Sequence, residues 1–248
     1  MPDWWAKDYT GGAFVLGSPP HLAALALLAA LCLGTGLLRG RLGPGGQRAV
    51  RYGLAAVLFL AQAVWYVWHI AWGLATRHTM VPLHACTVTL VATIALLLTR
   101  WRALYPWCFF LGIGGAIQGV LTPDPGIYGF PHIRFFQVIL SHGGLVLAAV
   151  YMTVVEGFRP TGHDLGRTLI AIQLYALVAG IVNYLLDTNF MYLASKPPTT
   201  SVLDWFGPWP WYLFAMDGLC VLICAALYLP FALADRRRAR PLAGGVAG

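Results

Sequence analysis

Seven apolar runs constrain this chain more than any other feature. They lie at about Pro20 to Leu38, Tyr52 to Ala75, Pro82 to Thr99, Leu104 to Leu121, Pro131 to Val155, Thr168 to Leu186 and Trp211 to Ala234. A helix needs about 20 apolar residues to cross the hydrocarbon core of a bilayer. Each run is about that long. An open sheet cannot satisfy its backbone in lipid, and none of the runs alternates as a barrel strand would. The expected fold is therefore all-α: a polytopic membrane protein with a seven-transmembrane-helix bundle. Composition agrees, with 59% hydrophobic and only 10% charged residues, against about 25% charged in soluble domains. One domain is expected over residues 1–235. Residues 236–248 are basic, then rich in glycine and alanine, and are expected to be disordered. Asp3, Lys7 and Asp8 precede the first run, so no cleavable leader is expected.

Orientation follows from the basic residues. One side receives Arg39, Arg41, Arg48, Arg51, Arg100, Arg102, Arg159, Arg167, Arg236, Arg237, Arg238 and Arg240. The other receives Lys7, Arg77, Arg134 and Lys196. This asymmetry predicts a cytoplasmic C-terminus and an outside N-terminus, in the cell membrane. The net charge of +7 is thus a topology signal, and no nucleic-acid partner is expected. Trp4, Trp5, Trp205, Trp209 and Trp211 would form an outer interfacial belt. Cys32, Cys86, Cys108, Cys220 and Cys224 all lie within or beside apolar runs, so no disulfide framework is expected. No internal repeat is evident, which argues against a transporter built from inverted halves.

Polar residues inside spans are costly and tend to face a cavity or one another. Counting from the bounding arginines, His69 is 18 residues from Arg51, His84 and Cys86 are 16 and 14 from Arg100, and Gln118 is 16 from Arg102. His142 is 17 from Arg159, Asn183 is 16 from Arg167 and Asp217 is 19 from Arg236. At 1.5 Å per residue these groups share a layer roughly 21–28 Å above the cytoplasmic edge. That layer lies in the outer leaflet. It contains a thiol, imidazoles and a carboxylate, the groups of a nucleophile with an acid/base partner. A structural polar network would use the same residues. Loops extend the layer with Asp124, His132, Arg134, Asp187 and Lys196. Arg134 would either hold a lipid phosphate or carboxylate, or anchor its helix at the interface.

Cys86 and His84 are two residues apart, so on a regular helix they point nearly opposite ways. They share a centre only if Pro82 starts an irregular turn. Cys86 has Thr89 and Thr93 on its face and is expected to point inward. His84 would contact a neighbouring helix or loop. Gly112, Gly115 and Gly119 of the fourth run have the spacing of a close-packing stripe.

Several of these segments are similar to a known family. They are Pro82-Leu83-His84-Ala85-Cys86, Gly115-Ala116-Ile117-Gln118 with Leu121-Thr122-Pro123-Asp124, and Phe130-Pro131-His132 with Phe135-Phe136. Leu140-Ser141-His142-Gly143, Asn189-Phe190-Met191-Tyr192-Leu193 with Lys196-Pro197, and Gly207-Pro208-Trp209-Pro210-Trp211-Tyr212 continue the pattern in order. The chain resembles the YwaF-like bacterial integral membrane proteins, relatives of the eukaryotic transmembrane protein 164 acyltransferases. The resemblance implies a cysteine-dependent acyltransferase acting on phospholipid. The nucleophile would map onto Cys86 and the histidine onto His142. The family pattern also places a carboxylate, often glutamate, where Asp217 stands.

Together these readings predict a lipid acyltransferase or acyl hydrolase without a cofactor. Cys86 would attack an acyl ester, His142 would serve as base and then acid, and Asp217 or Asn183 would orient the imidazole. Gln118 or His84 would donate to the oxyanion. The substrate would be a membrane lipid, contacted by His84, Gln118, Asp124, His132, Arg134, Asn183 and Lys196. Two alternatives use the same layer. One is a zinc hydrolase with His69, His84, His142 and Asp217 as ligands. The other is a non-enzymatic transporter or sensor.

Overall fold

The computed structural model describes residues 2–196 and 202–239, and every regular element among them is helical. The α-helices are α1 (Pro19–Leu38), α2 (Pro44–Ala71), α3 (Arg77–Met80), α4 (Ala85–Thr99), α5 (Tyr105–Gly114), α6 (Ala116–Leu121), α7 (Ile133–Val154), α8 (Gly162–Leu186) and α9 (Trp211–Ala239). Seven segments are long and apolar enough to cross a membrane. The chain is thus a multi-pass membrane protein. The third segment combines α3 with α4, and the fourth combines α5 with α6.

The helices outrun the apolar stretches that mark them. α2 begins at Pro44 rather than near Tyr52, with Pro at the start of its first turn. Its extra turns carry Gln47, Arg48 and Arg51, which a helix tolerates once it has left the hydrocarbon. α8 begins at Gly162 rather than Thr168 because Thr161 and Asp164 form a capping box. α9 continues to Ala239, so the start of the expected tail is helical. Residues 240–248, the rest of that tail, lie outside the described residues.

α7 is the centre of the bundle. Of its apolar window 67% is buried, against 11% for α1 and α9. It packs against α1, α2, α4, α5 and α6. In lipid, helices gain nothing from excluding water, so they associate through close approach of small residues. Gly112 on α5 provides one such approach: a Cβ there would meet the Leu145 carbonyl of α7 at 3.5 Å.

The two ends of the bundle are held differently. At the end rich in arginine, Glu156 has a fully buried side chain and pairs with Arg51 at 3.1 Å and Arg100 at 2.9 Å. Arg100 ends α4 in the left-handed conformation, which directs its side chain to that carboxylate. Arg102 pairs with Asp164 and Arg159 with Asp235. At the opposite, aromatic end, the segment before α1 folds back over the helix ends as a strap. The Trp5 carbonyl accepts from the indoles of Trp68 (3.0 Å) and Trp72 (2.9 Å). The Ala6 carbonyl accepts from His132 Nε2, and the Lys7 carbonyl accepts from the Tyr128 hydroxyl.

Candidate active site

Between α3 and α4 the chain leaves helical geometry. His84 is the N-cap of α4 with an extended backbone (φ −74, ψ 136). The irregular turn on which a common centre for His84 and Cys86 would depend is therefore present, yet His84 turns to the loop. The Tyr175 hydroxyl of α8 donates to the Leu83 carbonyl at 2.6 Å and pins this turn. Cys86 becomes the second residue of α4. The amides of Thr87 and Val88 both donate to the His84 carbonyl. Those of Ala85 and Cys86 have no hydrogen-bond partner among the described residues. A helix start presents such free N–H groups and a partial positive charge to whatever faces it. Thr89 and Thr93, on the Cys86 face, are both 1% exposed, so this face turns inward.

The Cys86 thiol stands beside His142, and the two side chains interact electrostatically. His142 is on α7, in its central turns. Its Nδ1 lies 2.9 Å from the Val138 carbonyl and 3.2 Å from the Ser141 hydroxyl. A carbonyl only accepts, so Nδ1 carries the proton in the neutral ring. Nε2 is then the unprotonated nitrogen, free to accept from the thiol. The ring also needs room. A Cβ on Gly119 of α6 would sit 2.3 Å from His142 Cδ2, so only glycine admits the imidazole there. The expected stripe of glycines therefore has divided roles: Gly112 packs on α7, the helix breaks at Gly115 between α5 and α6, and Gly119 seats the histidine.

Two tyrosines to which the sequence assigned no role lie in the neighbourhood of the thiol. Tyr175 and Tyr192 lie within electrostatic range of Cys86, and Asp124 lies within range of Tyr192. Tyr192 lies in the family-like segment Asn189-Phe190-Met191-Tyr192-Leu193, whereas Tyr175 has no distinguishing neighbour in sequence. Gln118 precedes Gly119 and is exposed, with no side-chain hydrogen bond among the described residues.

The other expected members are engaged elsewhere. Asn183 uses its amide to hold the turn after α8, accepting from the Phe190 amide at 2.7 Å and donating to the Phe190 carbonyl at 2.9 Å. Asp217 is exposed on α9 and accepts from Gln173 of α8. Neither orients His142; the Val138 carbonyl does. His84 places Nε2 at 3.1 Å from the His78 carbonyl and packs on His78 and Phe190, so it contacts the loop, as one expectation had it. His132 donates to Ala6, accepts from the Arg134 amide and stacks on Tyr128. Burial holds its imidazole below the usual histidine range. Lys196 lies 5.6 Å from the Tyr212 ring and 3.9 Å from Asp204. His21, another buried histidine, has both ring nitrogens engaged by Gly17 and Val120.

The zinc ligand set does not converge. His69 bonds to the Trp65 carbonyl, His84 to His78 and Asp217 to Gln173. Among the described residues no three His, Cys, Asp or Glu side chains are grouped to hold a metal.

The family model of the TMEM164 family matches residues 16–228, a range that includes Cys86, Gly119 and His142. Comparison with curated proteins and with solved structures gives no match.

Proposed function

Because the chain belongs to the TMEM164 family, as a match over most of its length shows, we propose that it transfers or hydrolyses acyl groups of membrane phospholipid through Cys86. The contact of the Cys86 thiol with an imidazole anchored at Nδ1 carries this reading. His142 Nε2 takes the thiol proton, and the thiolate attacks the carbonyl carbon of a lipid ester. The tetrahedral intermediate collapses, the ester C–O bond breaks, and His142 returns the proton to the leaving oxygen. Cys86 then holds the acyl group as a thioester. The hydroxyl of an acceptor lipid, or of water, attacks it. His142 takes that hydroxyl proton and delivers it to the departing sulfur. Every proton and bond balances without a cofactor.

One feature supports stabilisation of the oxyanion: the unpaired amides of Ala85 and Cys86 open α4 beside the sulfur. Donors placed where charge develops are commonly the largest single contribution to such reactions. We also propose, from the arginine asymmetry, that the aromatic end faces outside.

The test follows labelled acyl chains from phospholipid in vesicles containing the purified protein. Cys86→Ala, His142→Ala and the double variant should each lose about 10³-fold or more and reach one common floor, because groups that act as a unit do not lose activity additively. Cys86→Ser should also be poor. Full activity in folded Cys86→Ala protein would remove the reading. Activity kept in Cys86→Ala but lost on chelation would transfer it to a metal hydrolase.

A further inference from the structure

Among the described residues two arginines are buried to 7% exposure, Arg51 and Arg134, and their charges are met differently. Arg51 has Glu156. Arg134, the second residue of α7, is not among the ion pairs of the described residues. Its Nη1 donates to Gln137, a neutral amide. Its Nε, like that of Arg51, is buried with no hydrogen-bond partner. Nη2 makes no hydrogen bond among the described residues and is the nitrogen left to meet an oxygen of a phosphate or carboxylate. The guanidinium lies against Trp65, 4.2 Å from its centroid, with Trp68 at 5.6 Å. The indoles hold the cation in place but supply no counter-charge of their own. A buried cation without an anion is strongly unfavourable.

We propose that Arg134 seats the phosphate of the lipid on which Cys86 acts. The proposal rests on the acyl-transfer reading for its purpose, although the anion site stands on its own geometry. Position favours a phospholipid over other anions. Arg134 is eight residues before His142, which is about 12 Å toward the aromatic end of α7. In a glycerophospholipid the phosphate stands above the ester carbonyls in the same sense. The carboxylate of a free fatty acid would instead lie at the level of the reacting carbon. The Trp65 indole that faces Arg134 also donates to the Thr79 carbonyl at 2.9 Å, in the segment that leads to Cys86.

The experiment measures equilibrium binding of labelled dioleoylphosphatidylethanolamine to Cys86→Ala protein in detergent micelles. Turnover is then blocked, and binding is scored apart from acyl chemistry. We expect saturable binding that falls about tenfold or more in Arg134→Gln, the loss typical of a charged hydrogen bond. Arg134→Lys should retain part of it. Gln137→Glu should also lose binding while raising the thermal midpoint, because it offers Arg134 a carboxylate within the protein. Dioleoylglycerol, which lacks the phosphate, should bind poorly. Unchanged phospholipid binding in folded Arg134→Gln would overturn the proposal. If that variant does not fold, unchanged binding in Gln137→Glu overturns it. Equal binding of dioleoylglycerol would do so as well. Inorganic phosphate binding as tightly as the lipid, or oleate competing as well as the lipid, would reject the phospholipid as occupant. Arg134-dependent binding in Cys86→Ala protein, together with no acyl transfer from the same phospholipid by the parent protein, would leave the anion site standing and remove only the catalytic reading.

Discussion

Two of the polar pairs within the spans of this protein could hardly be placed more differently. Cys86 and His142 meet where α4, α6 and α7 converge, against the most buried helix of the bundle. Gln173 and Asp217 meet on α8 and α9, and both are exposed. From distance along the chain, His142 and Asp217 belong to one layer. Depth alone therefore does not define a site. The rise per residue sets the layer, but rotation about each helix decides whether a side chain reaches the centre or the periphery. A further difference is local. Cys86 stands at a helix start with free amides, and His142 has one nitrogen already committed. Asp217 has neither feature, only a neutral amide from its neighbour.

This contrast can be broken most easily by activity. His142→Ala should lose about 10³-fold or more of acyl transfer, while Asp217→Asn should stay within about threefold of the parent. A collapse in both, in folded protein, would join the two pairs into one site. Stability gives the next largest effect. Glu156→Gln strands Arg51 and Arg100 beside a neutral group, and breaking a buried ion pair typically costs about 3–5 kcal/mol. A thermal or denaturant midpoint should therefore drop clearly for Glu156→Gln and little for Asp217→Asn, whose carboxylate is exposed. Gly119→Ala sharpens the comparison on the catalytic side. Its methyl group would displace the His142 ring, with an overpacking cost of about 1–3 kcal/mol and a larger loss of activity than of stability. Gly218→Ala, beside Asp217, meets nothing within 4 Å. It should show the smallest effect of all in both measurements.

Much of the architecture was legible because lipid imposes length and periodicity directly. Seven apolar runs became seven spanning segments. The inward face of Cys86 was readable from Thr89 and Thr93. The start of α8 was also present in the sequence, as Thr161 and Asp164, but hydropathy hid it behind the polar first turn. Asn183 and Asp217 were misassigned for a different reason. Their partners, Phe190 and Gln173, are fixed by how α8 meets its own following turn and α9, and no spacing rule encodes that. The strap before α1 was illegible because it binds through backbone carbonyls at Trp5, Ala6 and Lys7, whose side chains give no signal. The orienting group of His142 was missed in the same way, since the Val138 carbonyl replaces the carboxylate that was sought.

The central claim is that Cys86 carries the acyl group between donor and acceptor. Peptide mass mapping of protein incubated with phospholipid, but without an acceptor, tests it most directly. The account predicts a fatty-acyl thioester on the Cys86 peptide, removed by hydroxylamine and absent from His142→Ala protein. A Cys86 peptide that stays unmodified while the same sample releases or transfers acyl chains would contradict it.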